Sequence, residues 1–443
     1  MRVKGNSFLL CVLMVAAATT LAAAAAATAK PAHYTVPFNR TLFPRGFVFG
    51  AGSSAYQSEG AANIDGKGPS IWDTFTKQHP EKISDQSTGD VADDFYHRYK
   101  SDVQLMKKIG LDSFRFSLSW SRIFPEGRGK VNALGVKFYN NVINELLANG
   151  MISETTLTFA SKHLEIGLRI GLPSMNPTYS LSMATMVAPL HLVGVLTMSE
   201  IAQSATPALS PIWSPTISFF LMLQLPDSTK PNIRYAHSIT YGDYPEVMRA
   251  IVGDRLPKFS EAESKLLKGS YDFLGLNYYT ANYVENSLST STVNKSYTSD
   301  IHATFSTSRN GLNIGTPTAL SWLYIYPKGL RELLVYVKNK YQNPTIYITE
   351  NGVGEANNAS KPVHEAIKDS IRIRYHDSHL RSLLQAIKDG VNVKGYYAWS
   401  FMDDFEWDSG YTPRFGLTYV DYKNNLKRYL KYSAFWFKMF LLR

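Results

Sequence analysis

The chain has 443 residues, with 46 Lys and Arg against 36 Asp and Glu, a formal net charge of +10. That length suits one large barrel or two ordinary domains. No run of 18 or more apolar residues follows residue 29, which excludes a spanning helix, and no Lys/Arg stripe interleaved with aromatic rings marks a nucleic-acid surface; the basic excess fits loose attraction to acidic polymers.

Residues 1–29 carry Arg2 and Lys4, an apolar run at 8–17 and a small-residue tail at 21–27, the pattern of a secretory signal peptide. They hold the one cysteine of the sequence, Cys11, so the mature chain is expected to carry neither thiol nor disulfide. Sequons at Asn39, Asn294 and Asn358 fit glycosylation on a secretory route. Residues 30–443 are expected to form a single domain, because a strand–helix alternation runs through them without a linker or a repeat.

Residues 47–57 read as a strand opening into a Gly/Ser turn that carries the Gln57 amide. Residues 94–109 form an amphipathic helix stopped by Gly110. Residues 111–122 read as a second strand, whose alternation puts Phe114, Phe116 and Leu118 on one face and Arg115 and Ser117 on the other. A cation aimed into a barrel needs an anion. The next helix, 132–149, is predicted to bury Val136, Tyr139, Ile143, Leu146 and Leu147 and to end at Gly150.

From 151 to about 238 the pattern breaks. Charges thin, and prolines at 173, 177, 189, 207, 211, 215, 226 and 231 interrupt nearly any helix or central strand drawn there. The alternation then resumes: a strand at 271–280 carrying Asn277 and Tyr279, a loop at 321–329 carrying Trp322, a helix at 330–341, a strand closed by Glu350, a helix at 376–389 and a strand at 393–400.

Two stretches carry the chemistry. Residues 345–352, Thr-Ile-Tyr-Ile-Thr-Glu-Asn-Gly, read as a buried strand ending on Glu350, with Asn-Gly turn chemistry stopping it abruptly. A parallel barrel keeps its reacting groups at such strand ends. Residues 395–417 interleave Trp399, Trp407 and Phe415 with Glu406 and an Asp-Asp pair. Sugar sites need that mixture, flat rings for C–H faces and carboxylates for hydroxyls.

On these motifs, which arrive in the family's order, the chain resembles glycoside hydrolase family 1, and specifically the secreted plant β-glucosidases. The resemblance implies a (β/α)8 TIM barrel that hydrolyses terminal β-D-glucosides or oligosaccharides with retention. It implies no cofactor, no metal and no nucleic-acid partner, and a secreted, cell-wall or vacuolar location. Glu350 matches the nucleophile, with Arg115 and Tyr279 as its supports and Asn277 nearby. Gln57, Glu406 and Trp407 match the groups that hold the glycone hydroxyls, Trp399 and Phe415 the rings under the sugar, and Trp322 an aglycone platform.

Retention needs a second carboxylate, an acid/base about 5–5.5 Å from the nucleophile. The family supplies it in an Asn-Glu-Pro motif downstream of a His-Trp-Asp stretch, and this sequence has neither. Glu154, Glu165 and Glu200 fall where the family is not shared, so none inherits the role. The degenerate code offers a cause. Residues 172–178, Leu-Pro-Ser-Met-Asn-Pro-Thr, can be encoded so that reading two bases later gives Thr-Phe-Asn-Glu-Pro-Tyr. In the same shifted frame, 182–193 can give Asn-Gly-Tyr-Asn-Gly-Gly-Thr-Phe-Ala-Pro-Gly, again the family's own sequence. The segment 151–238 therefore reads as frame-shifted and shortened. The barrel is expected to be incomplete, with strands three to five disrupted, and activity impaired; an inactive remnant or weak sugar-binding protein is the alternative.

Overall fold

The structure, a computed structural model, describes residues 38–151, 184–188, 234–286, 300 and 302–442. The expected leader at 1–29, the sequon at Asn294, and Glu154, Glu165 and Glu200 lie outside these residues.

The main sheet is built from β1 (Val48–Gly52), β2 (Ser113–Leu118), β3 (Ala184–Ala188), β4 (Leu274–Asn277), β5 (Ile346–Asn351) and β6 (Val393–Trp399). Its order is β3-β2-β1-β6-β5-β4. The pairs β2·β1, β1·β6, β6·β5 and β5·β4 are all parallel, whereas β3 runs antiparallel to β2, with Phe114 opposite Ala188. A parallel arc of five strands thus has the first strand beside the last. Every residue of β1, β2 and β5 is buried, as expected of parallel strands covered on both faces and built from β-branched and aromatic residues.

The covering layer is α1 (Phe95–Ile109), α2 (Ala133–Ala148), α3 (Pro327–Lys340), α4 (Ser370–Lys388) and α5 (Tyr432–Leu441). Neighbouring pairs are α2·α1, α1·α5, α5·α4 and α4·α3. The helices therefore follow the order of the strands they succeed, which is the winding of a βα barrel wall. Gly110, at φ +90°, and Gly390, at φ +85°, sit just past α1 and α4 in the left-handed conformation that ends a helix without a Cβ penalty.

Several boundaries and faces differ from the expectation: α3 begins at Pro327, inside the expected loop, and β4 spans only Leu274–Asn277. β2 stops at Leu118, and Trp120–Ile123 form one helical turn instead of continuing the strand to 122. α2 buries Gly135, Phe138, Tyr139, Val142 and Leu146, while Val136, Ile143 and Leu147 stay half-buried. The helix is thus rotated toward the ring of Phe138, which packs 4.3 Å from that of Tyr96 on α1. α4 begins at Ser370, six positions before the expected start, because Asp369 anchors its first turn by pairing with Arg372 at 2.6 Å. β5 runs one residue past Glu350.

Candidate active site

The parallel arc brings Glu350 to the end of β5, directly opposite Asn277, the last residue of β4. Glu350 is 9% exposed. One carboxylate oxygen, Oε1, accepts from Arg115 Nη1 at 2.5 Å and the other, Oε2, from the Tyr279 hydroxyl at 2.5 Å. Arg115 reaches it from β2 because strand alternation aims it inward while Phe114 and Phe116 pack outward. Burial, and then the charge of Glu350, push the Tyr279 phenol well above its ordinary range, so it remains a donor. Asn277 does not touch the carboxylate through any described bond; its Oδ1 accepts from Thr349 Oγ1 at 2.7 Å, which locks the two strand ends together.

The Asn-Gly pair behind Glu350 works differently from the turn expected of it. Asn351 is still in β5, and Gly352 has no positive φ. A Cβ there would overlap the carbonyl oxygen of Trp399. Glycine is required by close backbone approach between the ends of β5 and β6, the latter carrying Trp399.

Trp399 and Phe415 pack with Tyr279, Leu323, Val353 and Tyr375 in one buried cluster, against which Trp322 and Leu320 lean. Trp322 meets Tyr279 edge-on at 6.2 Å, and Phe415 meets it at 6.1 Å and 88°. The Arg115 guanidinium lies 5.8 Å from the centroid of the Trp399 ring.

A second carboxylate lies close enough to feel the charge of the first. Glu406 accepts from Trp399 Nε1 and from Gln57 Nε2, each at 3.3 Å, and Gln57 is oriented by Ser54 Oγ at 2.7 Å. Half-buried by surface area, Glu406 lies deep enough among protein atoms that desolvation pushes its carboxyl up to about 7, the charge of Glu350 adding to the effect. Its neighbour Asp404 is buried and raised well above the carboxylate range, by desolvation first and by Glu406 next. Trp407 stands apart from the first ring cluster. It stacks on Tyr56 at 6.3 Å and 12°, and leans on Trp72 at 4.9 Å.

Contacts thus gather Glu350, Arg115, Tyr279, Gln57, Glu406 and Trp399 into one group, with Phe415 and Trp322 in the ring cluster beside it. Such a group has a carboxylate with fixed donors on both oxygens, a second carboxylate with its own donors, and ring faces for apolar contact. Among the described residues no three His, Cys, Asp or Glu side chains meet as a cation site, and no helix is long and apolar enough to cross a membrane. Sequence reasoning read Asn351 only as a turn residue and Asp404 only as one of an Asp-Asp pair, although each is close in sequence to a carboxylate already singled out.

The family model for glycosyl hydrolase family 1 matches residues 39–162 and 228–442. The chain belongs to this family. Beta-glucosidase 12 of Oryza sativa subsp. japonica is 43% identical over 479 residues, covering 92% of this chain and 94% of that protein. Beta-glucosidase 17 of Arabidopsis thaliana is 43% identical over 473 residues, covering 91% of each. Among solved structures, a rice Os3BGlu6 beta-glucosidase superposes with a TM-score of 0.74 at 34% identity, over 92% of this chain and 100% of that one. The beta-glucosidase from Trichoderma harzianum gives 0.72 at 32% identity, over 91% and 98%. These family-1 neighbours are (β/α)8 barrels, so the parallel arc is part of such a barrel, of which the described residues supply five parallel strands. The family-1 match reaches past residue 150 and resumes before 238, leaving 163–227 unmatched.

Proposed function

We propose that this family-1 chain acts on terminal β-glucosides through one half of a retaining double displacement, and that it is impaired for want of an acid/base. Glu350 is the nucleophile. The observation that carries the reading is its carboxylate gripped on one oxygen by Arg115 and on the other by Tyr279 at the C-terminal end of a parallel strand. Arg115 offsets the negative charge, and the two donors fix the carboxylate's orientation. Gln57, Glu406 and Trp407 hold the glycone hydroxyls, Trp399 and Phe415 lie against the sugar face, and Trp322 meets the aglycone. The names of the relatives, beta-glucosidases, support the substrate class.

Attack by Glu350 forms a bond to the anomeric carbon and breaks the bond to the aglycone oxygen, which departs with the electron pair. A positioned acid would protonate that oxygen and contribute ~10²–10⁴-fold. The sequence lacks the Asn-Glu-Pro motif that would supply one. A basic leaving group, such as the second glucose of cellobiose, is then held back, whereas dinitrophenolate leaves unprotonated. Passage through the secretory route, with glycans at Asn39, Asn294 and Asn358 and a cell-wall or vacuolar destination, belongs to the same proposal; Asn358 is exposed.

The test is stopped-flow release of dinitrophenolate from its β-glucoside. A burst of about one equivalent, faster turnover with azide, no hydrolysis of cellobiose and loss of the burst in Glu350→Gln are expected. Ordinary turnover of cellobiose would overturn the impairment. Absence of any burst would overturn the assignment of Glu350.

A further inference from the structure

We infer that Asn351, backed by Tyr375 and Tyr396, is a positioning residue that sets the spacing of Glu350 and Tyr279; the inference rests on the reading of Glu350 as nucleophile. Glu350 lies on β5 and Tyr279 two residues past the end of the adjacent β4, so the ladder between these strands would ordinarily fix their spacing. Here the ladder slips. The β5·β4 register shifts between Ile348 and Glu350, and the β5·β6 register shifts between Ile348 and Asn351. At the last residues of β5, regular pairing no longer dictates where the side chains stand.

Buried side chains take over that task. The Tyr278 N–H donates to the Glu350 carbonyl at 2.9 Å. Asn351 Nδ2 donates to the Tyr278 carbonyl at 2.6 Å and to the Tyr375 hydroxyl at 3.1 Å. Tyr375 in turn donates to the Tyr279 carbonyl at 2.8 Å, and Tyr396 donates to Asn351 Oδ1 at 2.6 Å. The carbonyls of Tyr278, Tyr279 and Glu350 are therefore all pinned, two of them through one amide. Behind this hub the Tyr375 ring stacks on His379 at 3.9 Å, and His376 Nδ1 lies 2.7 Å from the Tyr396 hydroxyl.

Asn351, Tyr375, Tyr396 and His376 are each 0% exposed, so solvent does not compete for these bonds. Only an amide meets the demand, since it accepts through Oδ1 while donating twice through Nδ2. Aspartate in its place would set an acceptor against the Tyr278 carbonyl. None of the three residues bonds Glu350's carboxylate; their effect passes through the backbone that carries Tyr279 to its 2.5 Å bond with Oε2. A bond so short responds steeply to small displacements of either partner.

The test is a double-mutant cycle on covalent labelling. The parent, Tyr375→Phe, Tyr279→Phe and the double variant are incubated with 2,4-dinitrophenyl 2-deoxy-2-fluoro-β-D-glucoside, and the glycosyl adduct is timed by intact mass. Tyr375→Phe keeps the stacked ring and removes the bond to the Tyr279 carbonyl. It is expected to slow the saturating rate about tenfold with little change in half-saturating concentration. In the Tyr279→Phe background the same change should cost less than about twofold, because the pathway it acts through is gone. Equal slowing in both backgrounds is the mark of a merely structural role and overturns the inference. If Tyr375→Phe does not fold, Tyr396→Phe provides the same cycle, since it frees the Asn351 amide from the other side. A parent chain that forms no adduct would overturn the nucleophile reading and this inference with it; a labelled parent with additive effects overturns this inference alone.

Discussion

Glu406 shows how much a single side chain owes to its surroundings. Burial raises its carboxyl to about 7, above the ordinary value of an unfolded glutamate. Between those two values the folded state holds more protons than the unfolded one, so stability falls as pH rises through the window. Stability from this group is fully present below the unfolded pKa and lost as pH passes about 7. Glu406→Gln is expected to flatten the melting temperature between pH 5 and 7, measured by circular dichroism; an unchanged slope would mean that another group, such as Asp404, dominates the titration. The inward aim of Arg115 was legible because alternation along a strand leaves a cation only two directions, and one of them is occupied by Phe114 and Phe116. The hub at Asn351 was not legible. Its partners, Tyr375 on α4 and Tyr396 on β6, look like any aromatic residue of a core helix or strand, and nothing but the fold brings them to one amide.

At the scale of elements, strands read well and helix faces less so. Four of the five parallel strands fall within predicted ones and β5 overruns its expected end by one residue, since β-branched and aromatic runs have few other readings. On α2 the expected burial of Tyr139 and Leu146 holds, but Phe138 and Val142 take the places expected of Val136, Ile143 and Leu147; apolar residues lie on both sides of the stripe, and packing against Tyr96 and Tyr99 on α1 chooses between them. The choice has a measurable consequence. Leu146 is 0% exposed, so Leu146→Ala is expected to cost about 2–5 kcal/mol by cavity formation. Half-buried Leu147→Ala is expected to cost clearly less, about 1 kcal/mol. Urea titration of dilute refolded monomer checks the pair, and equal midpoints would show that the helix is not seated as described.

For the whole molecule, the question is what closes the barrel. A parallel wall is stable when each strand pairs on both edges, and open edges invite association with other chains. Here β4 ends the sheet among the described residues, and the β2 edge carries an antiparallel strand where barrel winding calls for a parallel one. The purified chain is accordingly expected to aggregate on warming instead of giving a sharp, reversible monomer transition, as scanning calorimetry with light scattering would show. Re-encoding the unmatched middle in the shifted reading frame, with any omitted codons restored from the gene, is expected to bring back both a cooperative melt and turnover of cellobiose.

The adjacency of β1 and β6 reaches further than the barrel's shape. It makes the two matched flanks, 39–162 and 228–442, halves of a single ladder, joined from Val48·Gly395 to Gly52·Trp399. The polar contacts of the site also straddle that seam: Arg115 with Glu350, and Gln57 with Glu406. Buried Asp102 and Arg428 clasp it from outside at 2.9 Å. The two flanks thus hold each other through contacts of their own. Scission anywhere inside 163–227 should leave the fragments bound, co-eluting in buffer and parting in urea, and the carboxylate–guanidinium pair at the centre would be the product of their reunion.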